Sequence, residues 1–221
     1  MNKKYNLTVI RETIVDKIYY ILEDQILSGE LEPGAKLSEA KIAQEFGVSR
    51  APAREALLRL EAAKLLDKSH LGRSIVELSI EEIRETYEIK NIIEAYAAMK
   101  AALYASKQDF ETLKSYLDNM FDCIDPPNFQ RLTELNKAFH DRIVYCCQNK
   151  QLIELYNHRL RAARWTSISV TLRYRQIVKE HKMIYNALVR RNGKRVRELM
   201  ELHTKRGLDC IISQMISRGI K

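Results

Sequence analysis

Apolar residues at Val15, Ile18, Tyr19, Leu22 and Ile26 recur at helical spacing, which predicts an amphipathic helix ending at Ser28-Gly29. Leu31-Glu32-Pro33-Gly34 then breaks regular structure. Ser38 is placed to cap a short helix from Glu39 to Phe46, stopped by Gly47. Ser49 caps a longer helix, with Pro52 in its first turn, where the missing N–H is harmless. That helix runs through Leu57, Leu58, Leu60 and Ala63 to about Leu65. Residues 66–78 read as two short strands around a tip containing Gly72.

The pattern changes at Ser79. Ser79-Ile80-Glu81-Glu82 is a capping box, and everything after it has helical periodicity, beginning with Ile83, Tyr87, Ile93, Ala97 and Ala101 on one stripe. Breaks near Ser106, at Asp125-Pro126-Pro127, near Gln148-Asn149, around Ser167 to Thr171 and at Asn192-Gly193 divide this region into about six helices. The predicted fold class is therefore mainly α. A small helical domain with a β-hairpin occupies residues 1–78, and an all-α bundle occupies 79–221.

Composition narrows the classes. With 46% hydrophobic and 30% charged residues, and only seven Gly and four Pro in 221, disorder, collagen-like repeats and most all-β architectures are excluded. No apolar run reaches the ~18 residues of a membrane span. Charges flank the short apolar patch of MNKKYNLTVIRETIVDK, so it does not read as a signal peptide. A cytoplasmic protein is expected, with Cys123, Cys146, Cys147 and Cys210 as reduced thiols, since no C-x-x-C pair occurs. The net charge of +8 suggests an anionic partner, yet residues 1–78 balance 12 basic against 12 acidic side chains. The excess lies further on, with 14 basic and three acidic residues in 159–206. Solvated helix faces or an anionic ligand would both account for it.

Two short helices joined by a tight Gly turn, followed by a hairpin, have the layout of a winged helix-turn-helix. The second helix opens with Ser49-Arg50-Ala51-Pro52-Ala53-Arg54. Its N-terminal end is the part that enters the major groove in such motifs, and small neighbours allow close approach. Arg50 and Arg54 are four apart and share a face, where each can fork onto guanine or a phosphate. Ser49 and backbone N–H groups suit phosphate oxygens. Residues 10–78, above all ILSGELEPGAKLSEAKIAQEFGVSRAPAREALLRLEAAKLL, resemble the GntR family of bacterial transcription regulators. The resemblance implies that Arg50 and Arg54 contact the operator with Ser49 and Ala51 beside them. Ala40 stands where many members carry a DNA-contacting Arg, with Lys41 as its neighbouring substitute, and Ala53 replaces the usual Val. The wing lacks the usual Arg before Gly72, so a minor-groove contact falls to His70 or Arg73.

Three of the five histidines lie on apolar stripes: His140 after Leu132 and Phe139, His181 between Ile177 and Ile184, and His203 after Val196 and Leu199. His181 and His203 sit about equally far from the Asn192-Gly193 turn, roughly 15–17 Å at ~1.5 Å per residue, so they are level in a helical hairpin. Asn136 is one turn before His140 on the same face. Three inward imidazoles plus an oxygen ligand suit zinc, nickel or another late divalent ion; hydrogen-bonded core histidines are the alternative. The region 79–215 resembles the FCD ligand-binding domain of the FadR subfamily of GntR regulators. By that resemblance Asn136, His140, His181 and His203 take the metal-ligand positions, with Asn136 in place of the usual Asp. A neutral amide is a poorer donor, so metal affinity should drop, and Asp141 points about 140° away on the helix. The R-x-x-L-E pattern of the family is matched by Lys90 and Glu94, which are effector-binding candidates. Arg161 and Arg164 are further candidates for an anionic effector.

The sequence thus reads as a homodimeric transcription regulator, acting as a repressor on a palindromic double-stranded DNA operator. A small organic acid enters its helical pocket and engages a divalent metal, zinc or nickel. Two other readings stay open: a regulator with a vestigial, metal-free pocket, and a metal-dependent hydrolase. Against the hydrolase, no carboxylate is expected at a height matching the histidines to act as general base.

Overall fold

The computed structural model describes residues 13–28, 30–69, 72–77, 79–159 and 173–217. They fall into two compact units, Met1–Glu77 and Leu78–Lys221.

In the first unit, helix α1 (Ile14–Ser28) buries Val15, Ile18, Tyr19, Leu22 and Ile26, the stripe that its spacing predicts. It packs on α3 (Arg50–Ala62), which buries Ala53, Ala56, Leu57 and Leu60, and α3 also packs on α2 (Glu39–Glu45). The side chain of Ser38 accepts a hydrogen bond from Lys41 N, capping α2 as expected. Gly47, at φ +64°, makes the left-handed turn out of α2, and Val48 N donates to Ala43 O at 2.9 Å. The Arg59 guanidinium bonds Asp16 at 2.6 Å and lies 4.6 Å over the Tyr19 ring, tying α3 to α1. Helix α3 stops at Ala62, short of the Leu65 that its apolar pattern suggests, because Lys64 adopts a left-handed φ of +58°.

The hairpin consists of β2 (Leu66–Ser69) and β3 (Gly72–Ile75), antiparallel with Leu66 opposite Ile75. The sequence pattern does not show the third strand, β1 (Lys36–Leu37), which pairs with β3 to give the order β1-β3-β2. Two residues carry no periodicity, so only pairing reveals them. Gly34, at φ +78°, leads into β1, and a Cβ there would meet Glu77 Oε1 at 2.0 Å.

The second unit holds six helices among its described residues: α4 (Ile80–Tyr104), α5 (Lys107–Asp122), α6 (Phe129–Tyr145), α7 (Lys150–Arg159), α8 (Tyr174–Val189) and α9 (Gly193–Ser217). The capping box at Ser79 and Glu82 forms, and Ser106 with Asp109 makes another at α5. Helix α4 buries Ala95, Ala98, Ala101 and Ala102, and Gly193 of α9 would place a Cβ 3.2 Å from Met99 O. These small residues let the two long helices lie close together. Leu113, Phe139, Ile143, Ile184, Leu188, Val196 and Met200 fill the core between α5, α6, α8 and α9. Arg191 fans its guanidinium onto the carbonyls of Ala102, Leu103 and Ala105, satisfying the C-terminal end of α4. Among the described residues, no helix is long and apolar enough to cross a membrane.

Candidate functional sites: an arginine-bearing helix end and a three-histidine centre

At the start of α3, Ser49, Arg50, Ala51 and Arg54 are exposed, whereas Ala53 beneath them is fully buried. Ser49 is the N-cap residue, yet its side chain makes no capping bond, which leaves the hydroxyl available to an anion. Arg59, held by Asp16, contributes to the packing of the unit, while Arg50 and Arg54 stand on the solvent side of the same helix. Lys41 is also exposed, on α2.

Arg73 lies against the first unit's helices. Its guanidinium is 11% exposed, with Nε on Glu61 and Nη1 on Glu39 at 3.0 Å. Pairing with two carboxylates favours this inward placement over presentation to a groove, so Arg73 fastens the wing to α3 and α2. His70, the other wing candidate, lies outside the described residues. Arg73→Met should lower the stability of this unit by about 1–3 kcal/mol, because two charge-assisted bonds are lost. Its discrimination between operator and random DNA should be unchanged. Chemical denaturation paired with a binding titration checks both, and a specificity loss at unchanged stability would restore Arg73 as a DNA contact.

In the second unit, His140 of α6, His181 of α8 and His203 of α9 are buried together. His140 Nε2 lies 3.2 Å from both His181 Nε2 and His203 Nε2, and one nitrogen from each ring falls within 4.8 Å of the others. The equal distances of His181 and His203 from the α8–α9 turn bring them level, as the spacing predicts. Phe139 stacks on the His181 ring at 4.5 Å, fixing its plane.

The outer ring nitrogens are held from behind. His203 Nδ1 sits 2.7 Å from Glu180 Oε2, and Glu180 Oε1 receives Arg173 Nη2 at 2.8 Å and Arg206 Nη1 at 3.0 Å. His181 Nδ1 lies 3.3 Å from Met120 Sδ. His140 Nδ1 is 3.3 Å from Glu94 Oε2 without a formed hydrogen bond, and Lys90 Nζ bonds that same oxygen at 2.6 Å. Burial drives the His181 pKa well below the ordinary histidine value, with the neighbouring histidines adding to the shift. Burial also lowers His203 to about 4, outweighing the pull of Glu180. Both rings are therefore neutral near pH 7. With Nδ1–H of His203 donating to Glu180, its Nε2 turns a lone pair towards the other two inner nitrogens. Three ring nitrogens converging at this distance in a buried site fit a nitrogen-preferring cation between them. The carboxylate behind His203 is the kind of partner that orients a metal-binding imidazole.

Asn136 is half-buried on α6, one turn before His140. Asp141 turns instead to the Tyr156 hydroxyl at 3.0 Å, in keeping with its helical angle. Arg161 and Arg164 lie outside the described residues. The expected lack of any carboxylate level with the histidines does not hold, since Glu94 and Glu180 both stand beside them. Glu180 directly precedes His181 and so points off its helical face, reaching the centre only by crossing to His203 on α9. Both carboxylates are engaged by cations, so neither is a free base. The sequence reading also passed over Arg173 and Thr204, whose Nη1 and Oγ1 are buried without a partner among the described residues.

Comparison with known proteins agrees in both units. Residues 14–75 match the family model described as bacterial regulatory proteins, gntR family, and residues 85–206 match the FCD domain. Over 192 residues the chain is 27% identical to YdhC of Bacillus subtilis (strain 168), an uncharacterized HTH-type transcriptional regulator, covering 85% of this chain and 86% of that protein. It is 26% identical to the HTH-type transcriptional repressor RspR of Escherichia coli (strain K12), covering 87% and 86%. Among solved structures, E. coli McbR/YncC shares the fold with a TM-score of 0.82 at 19% identity, over 91% of this chain and 98% of that one. With a gntR winged helix ahead of an FCD domain, the chain belongs to the gntR family of bacterial regulators and is a DNA-binding regulator of transcription.

Proposed function

We propose that this regulator is a cytoplasmic homodimer that represses transcription from a palindromic operator and is controlled by a small organic acid at a divalent-metal centre. The first unit is the DNA-binding domain, with Arg50 and Arg54 as base or phosphate contacts and Ser49, Ala51 and Lys41 beside them. The second unit is the effector-binding and dimerisation domain. His140, His181 and His203 would hold zinc or nickel, with Asn136 as the oxygen donor, and the metal would supply a Lewis-acidic seat for a carboxylate. The convergence of three inner imidazole nitrogens carries this reading. Lys90 and Glu94 tune the centre from behind His140 rather than waiting as a free ion-binding pair, because each already holds the other. Shared contacts of this kind allow an effector to bias the conformations of the domain, and so operator affinity.

Elemental analysis of protein purified without a metal-affinity tag should find about one late divalent ion per chain, as three buried imidazoles retain zinc through purification. Operator affinity should then change when the ion is stripped. Chain that stays metal-free after soaking with zinc or nickel would leave a regulator without a metal centre.

A second copy is the partner that α4 suits. Ile89, Ile92, Tyr96 and Leu103 lie along its outer side, and Ile92 is 71% exposed. A run of large apolar side chains on one helix is a surface that association covers. Paired winged helices also supply the base contacts that one module lacks. Ile92→Glu should shift the sedimentation mass from dimer to monomer while changing monomer stability by less than about 0.5 kcal/mol, as the site is exposed. An unchanged mass would place the interface elsewhere.

A further inference from the structure

We infer that the outward stripe of α8 is a second DNA contact, which holds the phosphates of duplex outside the operator without reading its sequence. Arg175, Lys179, Lys182, Asn186 and Arg190 follow one another at steps of three or four, so they share one face of the helix, and all are exposed. Ile177, Val178, Ile184, Ala187 and Leu188 are buried on the other side. At ~1.5 Å per residue the stripe is roughly 22 Å long. Glu180, the one carboxylate in the sequence of α8, is buried, so the stripe carries cations and no anion. Other cations nearby are already committed: Arg191 to the carbonyls at the end of α4, Arg195 to Glu198 and Arg197 to Glu201. Among the described residues the cations of the stripe have no ion-pair partner. Arg175 turns to the Tyr174 hydroxyl at 3.0 Å, and Lys182 lies 5.5 Å over the Phe121 ring.

The first unit lacks such a surplus. Residues 1–78 balance 12 basic against 12 acidic side chains, whereas 79–221 hold 25 against 17, so the net charge of +8 lies wholly in the second part of the chain. A DNA-binding domain of zero net charge offers local contacts but little field to draw a polyanion, and phosphate neutralisation supplies much of the affinity for DNA. Duplex DNA presents one negative charge per ~1.7 Å of its axis, so a rod of cations of this length meets phosphates in any register. Once the winged helix is bound, those phosphates are present at high effective concentration. A protein partner fits less well. Met183 and Val189 flank the stripe singly, too little apolar surface for the core of a protein interface.

The test compares the full chain on two duplexes that carry the same selected operator. One is trimmed to the shortest length that keeps selective binding, and the other is extended by about 20 base pairs on each side. Extension should tighten wild type ~10-fold at low salt and steepen the fall of log affinity with log salt by about two or more. Lys179→Gln/Lys182→Gln/Arg190→Gln should match wild type on the short duplex and lose most of both gains on the long one. Its thermal midpoint should be unchanged, because all three sites are exposed. Lys107→Gln/Lys114→Gln/Arg195→Gln removes the same charge from side chains that are already ion-paired, and it should behave as wild type. If the two triple variants weaken binding to the long duplex equally, net charge rather than the stripe is responsible, and the inference fails. An α8 variant indistinguishable from wild type on both duplexes at every salt concentration would overturn it as well. If polyglutamate binds wild type but not the α8 variant, while both hold the long duplex alike, the stripe serves an acidic protein segment instead of DNA.

Discussion

Alanine at both Arg50 and Arg54 should abolish selective operator binding while leaving the winged helix folded. The side chains project from the first turns of α3 on its exposed side, and the packing residues Ala53, Ala56, Leu57 and Leu60 lie on the other. A bidentate arginine on a base is worth roughly 1–3 kcal/mol of discrimination, so each single change should cost about 5- to 150-fold in affinity. If one of the two contacts a phosphate instead, its loss should weaken all sequences alike and reduce the salt slope by about one. Fluorescence anisotropy on a duplex selected from a random library, repeated at several salt concentrations, separates these cases. Arg59→Ala is the informative contrast, because Arg59 is bound to Asp16 and stacked over Tyr19. It should alter stability more than recognition. Full operator affinity in the double variant would mean that α3 is not the reading helix.

His140→Ala should weaken zinc binding by about 100-fold or more. His140 is the central ring, with its inner nitrogen 3.2 Å from each of the others, so no pair of remaining histidines keeps the original arrangement. Structural zinc sites gain roughly 10–16 kcal/mol from about four ligands, so losing one costs on the order of 3 kcal/mol, or ~100-fold. In wild type, zinc added to stripped protein should raise the thermal midpoint, since a ligand bound only by the folded state stabilises it. His140→Ala should show no such rise at a zinc concentration that only just saturates wild type. The pH dependence is a second readout. Protons compete with the metal for imidazole, but burial holds His181 and His203 below the ordinary value, His203 at about 4. The sign follows for these two rings: the neutral, metal-binding imidazole is favoured in the fold, so protons should compete for them only below the ordinary histidine range. A zinc-induced rise that survives in His140→Ala would move the metal to another part of the chain.

The sequence by itself settled most of the helices, two of their caps and the class of protein. Apolar spacing placed α1, the Ser38 and Ser79 boundaries followed from capping chemistry, and the Arg50–Arg54 face followed from the helical angle. These are local properties, set within a few residues along the chain. Even the meeting of His181 with His203 was readable, because a hairpin converts equal distances from a turn into equal heights. Strand β1 was not readable, since two residues have no period and exist as a strand only through their bonds to β3. The placement of Arg73 was likewise decided by Glu39 and Glu61, which lie far from it in sequence and close in space. The same holds at the centre. Glu180 faces away from His181 on its own helix and serves His203 on the next, and Glu94 reaches His140 across from α4 to α6. Sequence periodicity reports which face of one helix is buried; which charges meet there depends on how helices dock, and that is fixed only by tertiary packing.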